Sequence, residues 1–244
     1  MSVRPTLRAL LTAAAALLTV GVLPAGAASL GIAPTRVTLG LTDRSAAVTL
    51  ENQADQPVTV QVQTFAWPRS AASDQLEPTR DLLAVPAVAS LEPGAKQIIR
   101  VALRAPRQGS VERAYRLLIT EVPTAQREDG LGVRFALRLS LPVFVAAAGA
   151  RAEPSWAARR DGARALLELS NRGSAHLRVR RIELRAAGPG HDRPAQVIDA
   201  VAYVLPGQTQ SWPLAAAASA QRELKLQADT DLGPLEAELV LPPG

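Results

Sequence analysis

Alternation of apolar and polar positions dominates the chain from Ile32 to Val145. Its clearest run is Val133-Arg-Phe-Ala-Leu-Arg-Leu-Ser-Leu141. Every odd position there is large and apolar, and Arg134, Ala136, Arg138 and Ser140 fill the even ones. Successive side chains of a strand point to opposite faces. The run therefore predicts a strand with one apolar ridge formed by Val133, Phe135, Leu137, Leu139 and Leu141. Pro142 ends the run; it cannot donate to a ladder and belongs at strand ends or sheet edges. A long edge strand with an apolar ridge is a template for pairing with another chain.

Further strands are predicted over 36–39, 46–51, 58–65, 97–103 and 115–121, most of them alternating and rich in β-branched residues. Turn signals separate them: 52–57 (Asn-Gln-Ala-Asp-Gln-Pro), 92–94 (Glu-Pro-Gly), 105–109 and 123–130. Residues 80–90 contain Pro86 and read as an extended loop. A short hinge is expected at 146–149 (Ala-Ala-Ala-Gly), followed by a second β-rich unit with strands over 163–170, 175–185, 195–205, 210–214, 223–228 and 235–241. Residues 215–222 read mainly as loop, with room for a helical turn. Short strands at this spacing predict sandwiches. The two units echo each other. Val48-Thr-Leu-Glu-Asn52 resembles Leu166-Leu-Glu-Leu-Ser-Asn171, and Leu91-Glu-Pro-Gly94 resembles Leu205-Pro-Gly207, at offsets of 119 and 113 residues. The expected fold is all-β, with two immunoglobulin-like β-sandwich domains in tandem and a cleft between them. The expected division is a leader over 1–27, domains over 28–145 and 150–244, and the hinge between.

The leader is expected from Arg4 and Arg8, the apolar stretch 9–22 and the small residues Ala25-Gly-Ala27, which together form a secretory signal peptide pattern. No later stretch has the roughly 18 apolar residues that a spanning helix needs, so the exported chain is not expected to be membrane-embedded. Cysteine is absent and aromatics are only 3% of the chain. The fold must therefore hold without disulfides, on cores of Val, Leu, Ile and Ala. The 27 basic and 22 acidic residues are dispersed. They form no patch or module of the kind that nucleic-acid binding uses.

Catalytic motifs are missing too: no Gly-x-Ser-x-Gly, His-Glu-x-x-His or phosphate-binding Gly loop occurs. His176 and His191 without cysteine make a poor metal site, and His191 reads as a loop residue. Trp67, Trp156 and Trp212 read as packing residues. Neither an enzyme nor a cofactor or metal protein is expected.

Four separated motifs, in order, resemble one family. They are Gly-Ile-Ala-Pro-Thr-Arg-Val (31–37), Leu-Glu-Pro-Gly-Ala-Lys-Gln-Ile-Ile-Arg-Val (91–101), Tyr-Arg-Leu-Leu-Ile-Thr-Glu-Val-Pro (115–123) and the ridge 133–141. Together they are similar to the periplasmic chaperones of pilus and fimbria assembly. Leu-Pro-Val-Phe-Val (141–145) looks like the divergent branch associated with spore-coat-U-like subunits. The resemblance implies a periplasmic chaperone that lends an edge strand to an incomplete pilus subunit, an instance of β-augmentation, and delivers it to an outer-membrane usher.

By position, the resemblance implies that Val133, Phe135, Leu137 and Leu139 are the donated side chains. It implies that Arg36 binds the carboxylate at the end of the subunit, a task suited to its fixed donor fork. Glu121 and Asp231 match acidic residues between the domains. Two positions depart from the pattern: Pro142 stands where the family has a second cationic anchor, a Lys, and Ala146 where it has an interface Arg. Arg138 lies on the face of the missing Lys but about 13 Å from it along the strand. The alternative reading is a β-sandwich adhesin or structural subunit of the cell surface, which would use the same edge to build a polymer.

Overall fold

The computed structural model describes residues 30–68, 75–104, 109–123, 136–162, 164–188 and 193–243. The expected leader lies outside them. The described strands form four sheets, stacked as two sandwiches. In the first, β1 (Leu30–Ala33), β3 (Ser45–Asn52), β8 (Lys96–Leu103) and β6 (Leu82–Val85) pair in the order β1-β3-β8-β6. The facing sheet runs β2 (Val37–Leu39), β10 (Arg138–Val145), β9 (Arg113–Glu121), β4 (Val58–Ala66) and β5 (Glu77–Pro78), with β7 (Val88–Leu91) also on β4. The first segment of the chain thus serves both sheets: β1 joins one, and three residues later β2 joins the other. Alternating residues of the two inner faces meet in one core, including Val48, Leu50, Val60, Ile99, Val101, Leu117, Ile119 and Val143.

The second sandwich packs a three-stranded sheet against a four-stranded one. The smaller is β11 (Pro154–Asp161), β12 (Arg164–Asn171) and β15 (Thr209–Pro213). The larger has the order β14 (Gln196–Val204), β13 (Leu177–Ala186), β16 (Glu223–Thr230), β17 (Gly233–Val240). Its core is again aliphatic, with Trp156 stacked on Trp212 at 6.0 Å along one side. One short helix, α1 (Ala216–Ser219), occupies part of the segment read mainly as loop.

The echo between the units is physical. Asn52 and Asn171 are both fully buried, at 0% and 1% exposure. The Asn52 amide donates to the carbonyls of Gln56 and Leu91, and its oxygen accepts the N–H of Ala54. The Asn171 amide donates to the carbonyls of Ala175 and Val204, and its oxygen accepts the N–H of Gly173. Local partners match at an offset of 119 and distant ones at 113. In each unit a buried amide satisfies main-chain groups that the strand ladders leave over, as buried polar groups require.

Three expectations change. Residues 80–90 are not loop: β6 and β7 flank Pro86, and Leu82, Ala89 and Leu91 are buried in the core. The proline only marks where the chain crosses from one sheet to the other. Pro154–Asp161 is a strand that the turn-rich reading passed over; its alternation is carried by Trp156, Ala158 and Arg160. The ridge strand does not stop at Pro142 but continues to Val145.

Candidate functional site

The reason lies in the ladder. Leu137 faces Glu121, and the Leu137 carbonyl accepts the Glu121 N–H at 2.9 Å. In an antiparallel pair the main-chain groups of alternate residues point to the partner and away from it. Odd residues of β10 therefore bond to β9, and even residues present their N–H and C=O to the opposite edge. Pro142 belongs to the even set, so its missing donor costs no bond to β9.

That opposite edge is only half occupied. Among the described residues β2 alone pairs with it, in parallel, at Val143, Phe144 and Val145. Arg138 and Ser140 turn their main-chain groups to an unpaired edge, and both side chains are exposed. On the odd face, Leu141, Val143 and Val145 are buried in the first core, and Leu139 packs against it part-buried. Leu137 is half-buried at the start of this row. Val133 and Phe135, the first two residues of the ridge, lie outside the described residues. An unpaired half-edge beside an apolar row is the geometry that accepts an added strand.

At the base of the open edge the two sandwiches meet. Phe144 points away from the first core and is wholly buried among Trp67, Leu205 and Tyr203. Arg116 lies 3.7 Å over the Trp67 ring, a cation–π contact. His176 stacks on Phe144 with centroids 3.5 Å apart. Its Nδ1 and its backbone N–H both meet Glu112 Oε1, at 2.7 and 3.0 Å. Glu112 is 8% exposed, and its N–H donates to the Ser174 carbonyl. Close by in β9, Tyr115 donates to Asp81; burial first, with Asp81 adding and Arg113 opposing, pushes its phenol up to about 12.

Arg36 immediately precedes β2 and donates from Nη1 to Asp231 Oδ2 at 3.2 Å. The other oxygen of Asp231 accepts the Arg178 backbone N–H, and the Asp231 N–H donates to the Arg178 carbonyl. Asp231 is thus fixed in the second sandwich and reaches across to the first. Glu121 does not share this place. It ends β9, eight residues or about 27 Å from Arg113 at the joint. Its carboxylate accepts the Leu137 N–H at 3.2 Å.

The assignment of Glu121 between the domains is therefore corrected: the buried acid there is Glu112. No periodic pattern singled out Glu112 or its partner His176, 64 positions away. Phe144 was visible only as part of the ending Leu-Pro-Val-Phe-Val. Ala146, where an interface Arg was expected, leaves the cross-domain pairing to Arg36 and His176.

Two sandwiches joined at a buried aromatic seam, with one half-open strand edge next to it, define the class. The chain belongs to the pili and flagellar-assembly chaperone family: the model of the PapD N-terminal domain matches residues 29–150, half of the chain. Its fold is that of solved chaperone structures. It is similar to a chain of the CsuC–CsuE chaperone–tip adhesion subunit pre-assembly complex from the archaic chaperone–usher Csu pili of Acinetobacter baumannii. That match has 21% identity and a TM-score of 0.66 over 88% of this chain and 100% of that one. The E. coli chaperone DraB superposes with a TM-score of 0.61 at 18% identity, covering 87% of this chain and 97% of its own. A chain of the Salmonella enterica SafA pilin–SafB chaperone complex gives 0.61 at 17% identity, over 86% and 95%. No curated protein sequence matches the chain. Among the described residues no helix is long and apolar enough to cross a membrane.

Proposed function

We propose that this chain is a periplasmic chaperone that captures pilus subunits by donating β10 through its open edge and passes them to an outer-membrane usher. The observation that carries the reading is the half-edge: among the described residues nothing pairs with the outward main-chain groups of Arg138 and Ser140, while β2 fills the same edge from Val143 onward. A strand entering alongside β10 in the direction of β2 ends where β2 begins. Its terminal carboxylate then meets Arg36, one residue before β2. Leu137 and Leu139, with Val133 and Phe135 ahead of them, supply the apolar row, each worth about 1.5–3 kcal/mol when buried by the incoming chain. The signal pattern at the N-terminus and the family support the periplasm as the place of work. The subunit's own folding supplies the free energy, so the cycle needs no nucleotide.

The test is co-expression in the periplasm with the small secreted β-rich proteins encoded nearby, followed by capture through a tag at Gly244. A one-to-one complex that disappears with Leu137→Glu, while circular dichroism shows the chaperone still folded, is the expected result. No complex with any neighbour, together with self-association of the chain alone, would transfer the reading to a surface subunit.

A further inference from the structure

The joint contains a buried imidazole for which strand capture gives no use. The His176 side chain is 11% exposed and lies flat on Phe144, its plane 7° from parallel. Nδ1 stands 2.7 Å from Glu112 Oε1. A carboxylate oxygen accepts, so Nδ1 carries a proton. Nε2 faces Asp231 Oδ2 across 3.7 Å, is shut off from solvent and has no hydrogen-bond partner. In a neutral ring that nitrogen is a lone pair turned toward a carboxylate, two acceptors face to face. In an imidazolium it is a donor turned toward an acceptor. The doubly protonated ring suits both carboxylates at once, and its charge also suits the Phe144 face.

The remaining charged and titratable groups around the ring are cations and a phenol. Arg36 shares Asp231 Oδ2 with Nε2. Arg178 reaches over Tyr203, whose ring lies 5.9 Å from the imidazole, and Arg116 lies on the other side of Tyr203 toward Trp67.

We infer that His176, as an imidazolium, is a positioning residue: it ties Glu112 of the first sandwich to Asp231 of the second, and through Asp231 it sets the place of the Arg36 guanidinium. The inference uses the capture reading only for what Arg36 does; the linkage is a property of the chain alone. Arg36 is held while the ring carries two protons and loses its fixed place when the ring gives one up.

The chain has two histidines, so His191→Gln leaves a single imidazole to observe. Nitrogen-15 NMR of that variant from about pH 5 to about pH 9 reads the protonation of each ring nitrogen directly. Both nitrogens are expected to be protonated at the acid end of the range. The Arg36 side-chain Nε resonance, assigned by its absence in Arg36→Lys, is expected to follow any change in the protonation of the ring. In His176→Phe, which keeps the stack, that resonance should stay still over the range. The ring titration does not depend on His176→Phe folding. A ring singly protonated throughout, or an Arg36 resonance indifferent to the ring, overturns the inference. Subunits are absent from this experiment, so a failed capture assay leaves its outcome untouched, and a failed titration leaves capture standing.

Discussion

β10 and β17 occupy the same place in their respective sandwiches. Each is the last strand of its unit and lies beside the strand before it, yet the outer edge of one is blunted along its length and that of the other is half covered. β17 follows a tight turn at Asp231 and Leu232 and pairs with β16 along its whole length, from Gly233 to Val240. Its outward positions are Pro234, Glu236, Glu238 and Val240, all exposed. Proline and alternating charge are standard protection for an edge. β10 is separated from β9 by residues 122–137, and its outward positions are Arg138, Ser140, Pro142 and Phe144. Protection there is divided: β2 covers the last three residues of the strand, Phe144 plugs the joint, and the first half of the strand is left unpaired. The same strand position can thus be a finished rim or a docking edge, depending on its turn and on four outward residues.

The sharpest way to break this comparison is Phe144→Ala. It removes a wholly buried aromatic from the seam and is expected to cost about 3–5 kcal/mol. Calorimetry should then resolve separate melting of the two sandwiches. The matched change on the closed strand, Glu238→Ala, should stay within about 0.5 kcal/mol. Equal costs would mean that β10 carries no special burden at the joint.

Next in size is the asparagine pair. Asn52→Ala or Asn171→Ala strands one buried and one part-buried carbonyl and should cost about 3 kcal/mol. Asn171 also accepts the Glu153 N–H, so its loss should be the larger. Each variant should lower chiefly the melting of its own sandwich. A loss shared evenly between both would show that the repeat is one folding unit.

Ser140→Pro asks about the edge itself. The outward N–H of Ser140 serves no bond to β9, so the free chain should keep its fold, as it does around Pro142. Binding of a captured subunit should weaken about tenfold, the value of one main-chain hydrogen bond of about 1.4 kcal/mol. An unchanged dissociation constant would place the incoming strand elsewhere.

The smallest effect is expected at the closed turn. Gly233 adopts φ +98° with open space where a side chain would go, so Gly233→Ala costs backbone strain alone, about 1–2 kcal/mol. Denaturant unfolding measures it; a larger loss would reveal a contact that the turn does not show.

Local pattern carried most of the architecture into view. Alternation located twelve of the seventeen described strands, and the asparagine and Pro-Gly signals exposed the repeat with the right offsets, because each is a property of a few consecutive residues. The joint was not legible in local pattern; Arg36 and Asp231 came into view only through the resemblance. Arg36 and Asp231 are 195 positions apart, and Glu112 carries no local sign of burial. Only the packing of one sandwich on the other brings them together. Pro142 misled for the opposite reason. A proline ends a strand paired on both sides, but which edge it faces is decided by the register with β9, information that nine alternating residues do not contain.

The arrangement at Pro142 also acts as a ruler. Beyond Ser140 the open edge offers no further N–H before β2 takes over at Val143. An incoming strand cannot slide past that stop, nor gain by extending. Under the proposed capture its final residue is delivered to one spot beside Arg36, and every earlier residue is counted back from there. On that reading a partner is selected by how many residues separate its chain end from its first apolar side chain, a measurement of length that operates before any side chain is compared.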